Sequence, residues 1–194
     1  MIKLINVSKK YGDKIIFDHL NYEFIDHKRY VVEGNSGIGK TTLLKVIAGL
    51  ESIDDGCIEK NQCRLSYVFQ QDYLFDHLSA YDNILIGINE KISDEELEKR
   101  MNELCEDVCC TDFLHQRAKT LSGGQRQRIA LVRALIQLPD VILMDEPLSH
   151  LDTNLKKKMM DVIIFLQEKY QFTLIYVTHD PQEAEKIGQE FLYL

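Results

Sequence analysis

Gly34-Asn35-Ser36-Gly37-Ile38-Gly39-Lys40-Thr41 sets three glycines, a lysine and a hydroxyl at the spacing of a phosphate cradle. The stretch follows the apolar run Tyr30-Val31-Val32 and precedes Thr42-Leu43-Leu44-Lys45-Val46-Ile47-Ala48. Strand, glycine-rich turn and helix, in that order, make it a phosphate loop of the Walker A pattern. Glycines let the backbone curl until several N–H groups point inward at phosphate. The helix N-terminus adds partial positive charge at the same place. Lys40 supplies a mobile full charge for the β- and γ-phosphates, and the Thr41 hydroxyl is a hard oxygen ligand of the kind Mg²⁺ prefers. A second group completes this chemistry. Val141-Ile142-Leu143-Met144-Asp145-Glu146 is an apolar strand ending in two acids. It is expected to lie beside the phosphate-loop strand with its C-terminal end at the nucleotide. Asp145 would then face Mg²⁺, and Glu146 would polarise a water for attack on the γ-phosphate.

The elements that must position these residues read in three sections. Over residues 2–24 apolar and polar residues alternate, with Gly12-Asp13 as a turn signal, which predicts short antiparallel strands. Residues 30–33 form a buried strand, 42–48 a helix closed by Gly49, and 65–69 another strand. The middle is helical. Ser79 and Ser93 open capping patterns, and Leu97, Met101, Leu104 and Val108 recur at helical spacing as a core stripe. The last third returns to alternating β and α: a strand at 141–144, a helix with Leu155, Met159, Val162, Ile163 and Leu166 on one face, a β-branched strand at 173–178, and an apolar run at 191–194 that suits an edge strand. The predicted fold is α/β: a P-loop NTPase core with a mostly parallel sheet, an N-terminal antiparallel β subdomain, and a helical subdomain inserted at about 76–137 of one domain spanning 1–194.

Bulk composition narrows the function. The chain has 194 residues, 45% hydrophobic and 28% charged, with a net charge of −8. An acidic balance argues against non-specific nucleic-acid binding, which needs Lys and Arg to neutralise phosphates. The five cysteines form no paired C-x-x-C units; Cys105 and Cys109 lie one helical turn apart, but packed reduced thiols are the expectation. Neither a signal peptide nor a run of about 20 apolar residues is expected, so any membrane role must come through a partner.

Leu121-Ser122-Gly123-Gly124-Gln125 adds a second anion cradle at a helix start. Together with the two motifs above it resembles the ATP-binding cassette (ABC) ATPases, and the resemblance runs over essentially the whole chain. That resemblance implies a role for each matching residue. Tyr11 is similar to the aromatic that stacks on adenine. By the same resemblance Gly34, Asn35, Ser36, Gly37, Ile38, Gly39, Lys40, Thr41 and Thr42 hold the phosphates of ATP. Ser122, Gly123, Gly124 and Gln125 are implied to close on the γ-phosphate held by a second ATPase chain, identical or a close paralogue, in an ATP-dependent head-to-tail sandwich. Gln70 matches a glutamine that senses Mg²⁺ and the γ-phosphate, so that Thr41, Gln70 and Asp145 are the implied metal-site residues, and Glu146, His179 and Gln70 the catalytic ones. Ser149-His150-Leu151-Asp152 resembles a loop that more often has Ala or Asn where His150 stands. Residues 70–79 are similar to the stretch that contacts a transmembrane permease subunit.

The chain stops soon after His179, which reads as a minimal cassette with no regulatory module. Coupled ATP hydrolysis for solute transport is the expected function, with import favoured over export and a location on the cytoplasmic face of the cell membrane. Soluble relatives acting on DNA or ribosomes are the alternative; those carry long coiled-coil insertions or two cassettes in one chain, and this sequence has no sustained heptad block and a single cassette.

Overall fold

A computed structural model describes residues 1–60, 62–89 and 91–194. In chain order the elements begin with β1 (Ile2–Tyr11), β2 (Lys14–Phe24), β3 (Arg29–Glu33), α1 (Lys40–Ala48), β4 (Asp55–Lys60) and β5 (Leu65–Val68). The helical middle holds α2 (Ala80–Leu85), α3 (Asp94–Asp107) and α4 (Gly123–Leu135). Then come β6 (Val141–Asp145), α5 (Thr153–Tyr170), β7 (Thr173–Val177), α6 (Pro181–Ile187) and β8 (Glu190–Tyr193). They fall into two compact units: Met1–Tyr67 with Asp140–Glu146 and Gln171–Leu194, and Val68–Pro139 with Pro147–Tyr170.

The first unit carries two sheets. A five-stranded sheet has the order β5-β6-β7-β3-β8, with β6, β7, β3 and β8 pairing in parallel. Every residue of β6 and β7 is buried, as continuous apolar and β-branched runs require in a sheet covered on both faces. Leu43, Leu44 and Ile47 of α1 join Val32, Leu143, Ile175 and Val177 in one core. The smaller sheet, β2-β1-β4, is antiparallel. β8 forms an edge of the larger sheet, as its apolar composition suggests.

Two elements lie outside the sequence expectations. β4 reads Asp-Gly-Cys-Ile-Glu-Lys, with only Ile58 partly covered, so no alternation marks it. α6 does carry a local signal: Asp180 caps it by accepting from the Gln182 N–H, and Pro181 starts it. One expectation is corrected. β6 does not lie beside the phosphate-loop strand β3; β7 stands between them. The β-branched run of 173–177 takes the central place, and α1 packs over both β6 and β7 to span the gap.

The second unit is helical. Ser79 and Ser93 cap α2 and α3 as their sequences predict, Ser79 in a reciprocal box with Asp82. The end of α3 explains the cysteines. The Cys110 N–H donates to the Cys105 carbonyl at 2.8 Å and the Cys109 N–H to that of Glu106 at 3.0 Å, with Cys109 left-handed at φ 53°. That is a Schellman stop, whose usual apolar contact joins the residues in the positions of Cys105 and Cys110. Both are buried and their thiols hydrogen-bond each other, whereas Cys109 is exposed. The pair that meets is therefore Cys105 with Cys110, not Cys105 with Cys109, and all five cysteines are free thiols. Among the described residues no helix is long and apolar enough to cross a membrane.

Candidate active site

The loop between β3 and α1 has the backbone its sequence requires. Gly34, Gly37 and Gly39 have φ of 151°, 76° and 123°. Gly39 is also fixed by space, because a Cβ there would lie 2.3 Å from Ile16 Cγ2. α1 begins on this glycine with no side-chain cap and no acidic residue in its first turn. By contrast Ser79, Ser93, Ser122 and Asp180 cap α2, α3, α4 and α6 with side-chain oxygens. The first-turn N–H groups of α1 have no helical partner, so its partial positive end is left for an external anion. The buried Lys40 reaches back so that Nζ donates to the carbonyls of Gly34 at 2.7 Å and Asn35 at 3.1 Å. The Asn35 carbonyl also accepts from the Ile38 N–H, which tightens the turn.

Thr41 leads from this loop to the acids. Its hydroxyl donates to Asp145 Oδ1 at 3.0 Å, and the Tyr67 hydroxyl donates to Asp145 Oδ2 at 3.3 Å. Burial pushes the Asp145 carboxyl above the usual carboxylate range, against the pull of these two hydrogen bonds. Burial and the same carboxylate push the Tyr67 phenol up, so it stays a donor. Tyr67 is not among the residues the sequence points to; as an aromatic in a strand it carries no local mark of this contact. Thr41 and Asp145 thus offer hard oxygens side by side. Among the described residues no cluster of three His, Cys, Asp or Glu could hold a metal. A cation here would draw its remaining ligands from phosphate and water, which is the habit of Mg²⁺.

Glu146 follows in a left-handed conformation, φ 46°, at the strand end, its N–H donating to the Val177 carbonyl at 2.9 Å. A non-glycine residue held there stores strain of about 1 kcal/mol or more, a pattern that clusters at functional sites. Its Oε2 lies 3.0 Å from His179 Nδ1. An ionised carboxylate only accepts, so this contact calls for the tautomer with its proton on Nδ1. His179 is held at the end of β7 by its neighbours: Thr178 and Tyr176 both donate to Glu183 Oε2 at 2.8 Å, and Asp180 caps α6. Tyr11, half exposed at the tip of the β1–β2 hairpin, lines with Ser36, Gly37, Lys40, Thr41, Thr42 and Glu146 a cleft of about 340 Å³. The first unit thereby brings together Tyr11, 34–42, Asp145, Glu146 and His179.

The other predicted residues belong to the second unit. Ser122 caps α4 in a reciprocal box: its Oγ accepts the Gln125 N–H at 3.4 Å, and Gln125 Oε1 accepts the Ser122 N–H at 2.8 Å. Gln125 Oε1 is therefore engaged in holding the helix start. Gly124 is required by packing, since a Cβ would come within 2.5 Å of Leu155 Cδ2. Gly123, Gln70 and His150 line one cleft with Arg126 and Gln127. Arg126 fixes that arrangement with a two-pronged contact to Asp72, Nε to Oδ2 at 2.8 Å and Nη2 to Oδ1 at 2.7 Å.

Burial alone would raise the Asp72 carboxyl, but Arg126 outweighs it and the group lies below its usual range. A lowered folded-state pKa means stability that is present above the unfolded value near 3.8 and lost as pH falls through the folded one. Arg126→Met is expected to cost about 2 kcal/mol of unfolding free energy at neutral pH. Denaturant melts should show this gap narrowing below about pH 4 as Asp72 protonates; a gap independent of pH would mean the loss is packing alone.

A family model described as ABC transporter matches residues 17–149. The chain is 39% identical to the Fe(3+) ions import ATP-binding protein FbpC of Fusobacterium nucleatum, over 96% of this chain and 53% of that protein. It is 39% identical to the maltose/maltodextrin import ATP-binding protein MalK of Vibrio cholerae, over 100% of this chain and 55% of that protein. The chain spans about half the length of the curated relatives it matches. Among solved structures, the dimeric post-hydrolysis state of an ATP-binding cassette bound to ADP and Pi superposes with a TM-score of 0.83 at 30% identity, covering 100% of this chain and 94% of that one. The matched span takes in well over half of the chain, including the phosphate loop, the second cradle and both acids, so the chain belongs to the ABC transporter family.

Proposed function

We propose that this chain is the ATP-hydrolysing subunit of a membrane transporter, acting as a pair of chains on the cytoplasmic face of the membrane and driving transmembrane permease subunits. The observation that carries the reading is the uncapped, glycine-built start of α1, with Lys40 over it and Thr41 hydrogen-bonded to Asp145. Import is the favoured direction, since the relatives above are named import ATP-binding proteins.

Each residue has a task in this reading. Tyr11 offers its ring to the adenine. Lys40 leaves the loop carbonyls for the β- and γ-phosphates, where a charge-assisted hydrogen bond is stronger. Thr41 and Asp145 would hold Mg²⁺. The metal, when bound, supplies Lewis-acid charge at the phosphoryl oxygens. Glu146 orients a water on the γ-phosphorus and takes its proton while the bond to the β–γ bridging oxygen breaks. His179 holds the Glu146 carboxylate through Nδ1 and presents Nε2 to the phosphate side. Ser122, Gly123 and Gly124 close on the nucleotide of the partner chain.

The purified chain with Mg²⁺ should release phosphate from ATP, and Lys40→Ala should remove both tight binding and turnover. Phosphate release from Lys40→Ala at the native rate would rule this reading out.

A further inference from the structure

The hairpin that presents Tyr11 presents a second residue to the same cleft. Its register pairs Tyr11 with Lys14 across Gly12 and Asp13. Directly opposed residues of an antiparallel pair put their side chains on one face, with Cβ atoms about 5 Å apart. The alternation of β2 carries that face on to Ile16. All three side chains line the cleft over the phosphate loop. Ile16 is seated against Gly39, where no Cβ would fit. Lys14 is exposed, and its Nζ donates to the carbonyl of Gly37 at the loop's tip, 3.2 Å away. Lys40 is held in the same manner by the carbonyls of Gly34 and Asn35. A neutral carbonyl is a weaker acceptor than a phosphoryl oxygen, and a lysine stem changes rotamer without moving the backbone.

We propose that Lys14 is a second phosphate-binding lysine of this site, delivered by the same hairpin that offers Tyr11 to the base. The proposal rests on the ATP-site reading above and adds to it a contact on the phosphate chain made from the N-terminal sheet. Stacking and charge are then read by opposed residues of one turn: a base without phosphates engages only Tyr11, whereas ATP and ADP engage both.

Calorimetric titration of the purified chain with ATP, ADP and adenosine tests this. Lys14→Gln should weaken ATP and ADP by about fivefold and leave adenosine unchanged, while Lys14→Arg should retain most of the affinity. Added salt should weaken ATP binding more in the unsubstituted chain than in Lys14→Gln. Tyr11→Ala, as the contrast, should weaken ATP and adenosine alike. If Lys14→Gln lost adenosine as strongly as ATP, or melted earlier without nucleotide, Lys14 would be a clamp on the loop and the proposal would fall. Unchanged ATP affinity in Lys14→Gln would overturn it too, with the ATP site itself intact. Failure of the unsubstituted chain to bind ATP would instead sink the site reading and this contact with it.

Discussion

Glu146→Gln is expected to bind ATP as tightly as the unsubstituted chain and to hydrolyse it about 10²- to 10⁴-fold more slowly. The amide has the shape of the carboxylate but cannot take a proton from water. The surroundings of Glu146 make this a clean substitution. Its contact to His179 uses Oε2 as acceptor for the Nδ1 proton, and an amide oxygen can accept the same proton. Its backbone N–H still reaches the Val177 carbonyl, so the left-handed turn is untouched. Only the charge and basicity change. Single-turnover phosphate release, measured beside nucleotide affinity, separates the two properties. Native-rate release from Glu146→Gln would remove Glu146 from the role of base and turn attention to His179 beside it.

The elements around this residue show what sequence conveys and what it does not. The phosphate loop is legible because its constraints are local: its glycines answer positive φ angles, and strand and helix flank it directly. Ser79 and Ser93 are legible for the same reason, since a cap is satisfied three residues away. Contacts between distant segments are not. That β7 separates β6 from β3 depends on sheet order, which no window of sequence encodes. Tyr67 meets Asp145 across 78 positions, and Lys14 meets Gly37 across 23. Helical periodicity sets Cys105 against Cys109, whereas the chain leaves the helix at Val108 and the left-handed Cys109 turns Cys110 back onto Cys105. The role of Gln125 divides the same way. Its place in the motif suggests a nucleotide contact, and its Oε1 accepts from the Ser122 N–H in the helix cap.

That cap bears on assembly, where the second large effect is expected. Glu146→Gln with ATP and Mg²⁺ should form a stable dimer, because two chains can close on nucleotide that neither hydrolyses. Without nucleotide the same variant should run as a monomer. The reason is electrostatic. The triphosphate brings several negative charges, and the α1 end of one chain satisfies only part of them. The start of α4 offers more: Ser122 Oγ accepts within its own helix, which leaves its proton to donate outward, and the Gly123 and Gly124 N–H groups have no helical partner. The exposed Ser122 and Gly123 leave that end open to a partner chain. A Glu146→Gln, Ser122→Arg double variant should stay monomeric with ATP, because the long side chain fills the space a phosphoryl oxygen needs. Losing the serine cap costs about 1 kcal/mol of helix stability, so a thermal melt must first show the double variant folded. Light scattering after size exclusion then decides. A folded double variant that dimerises as well as Glu146→Gln would place the ATP-dependent interface away from α4 and end the two-cradle account of this chain.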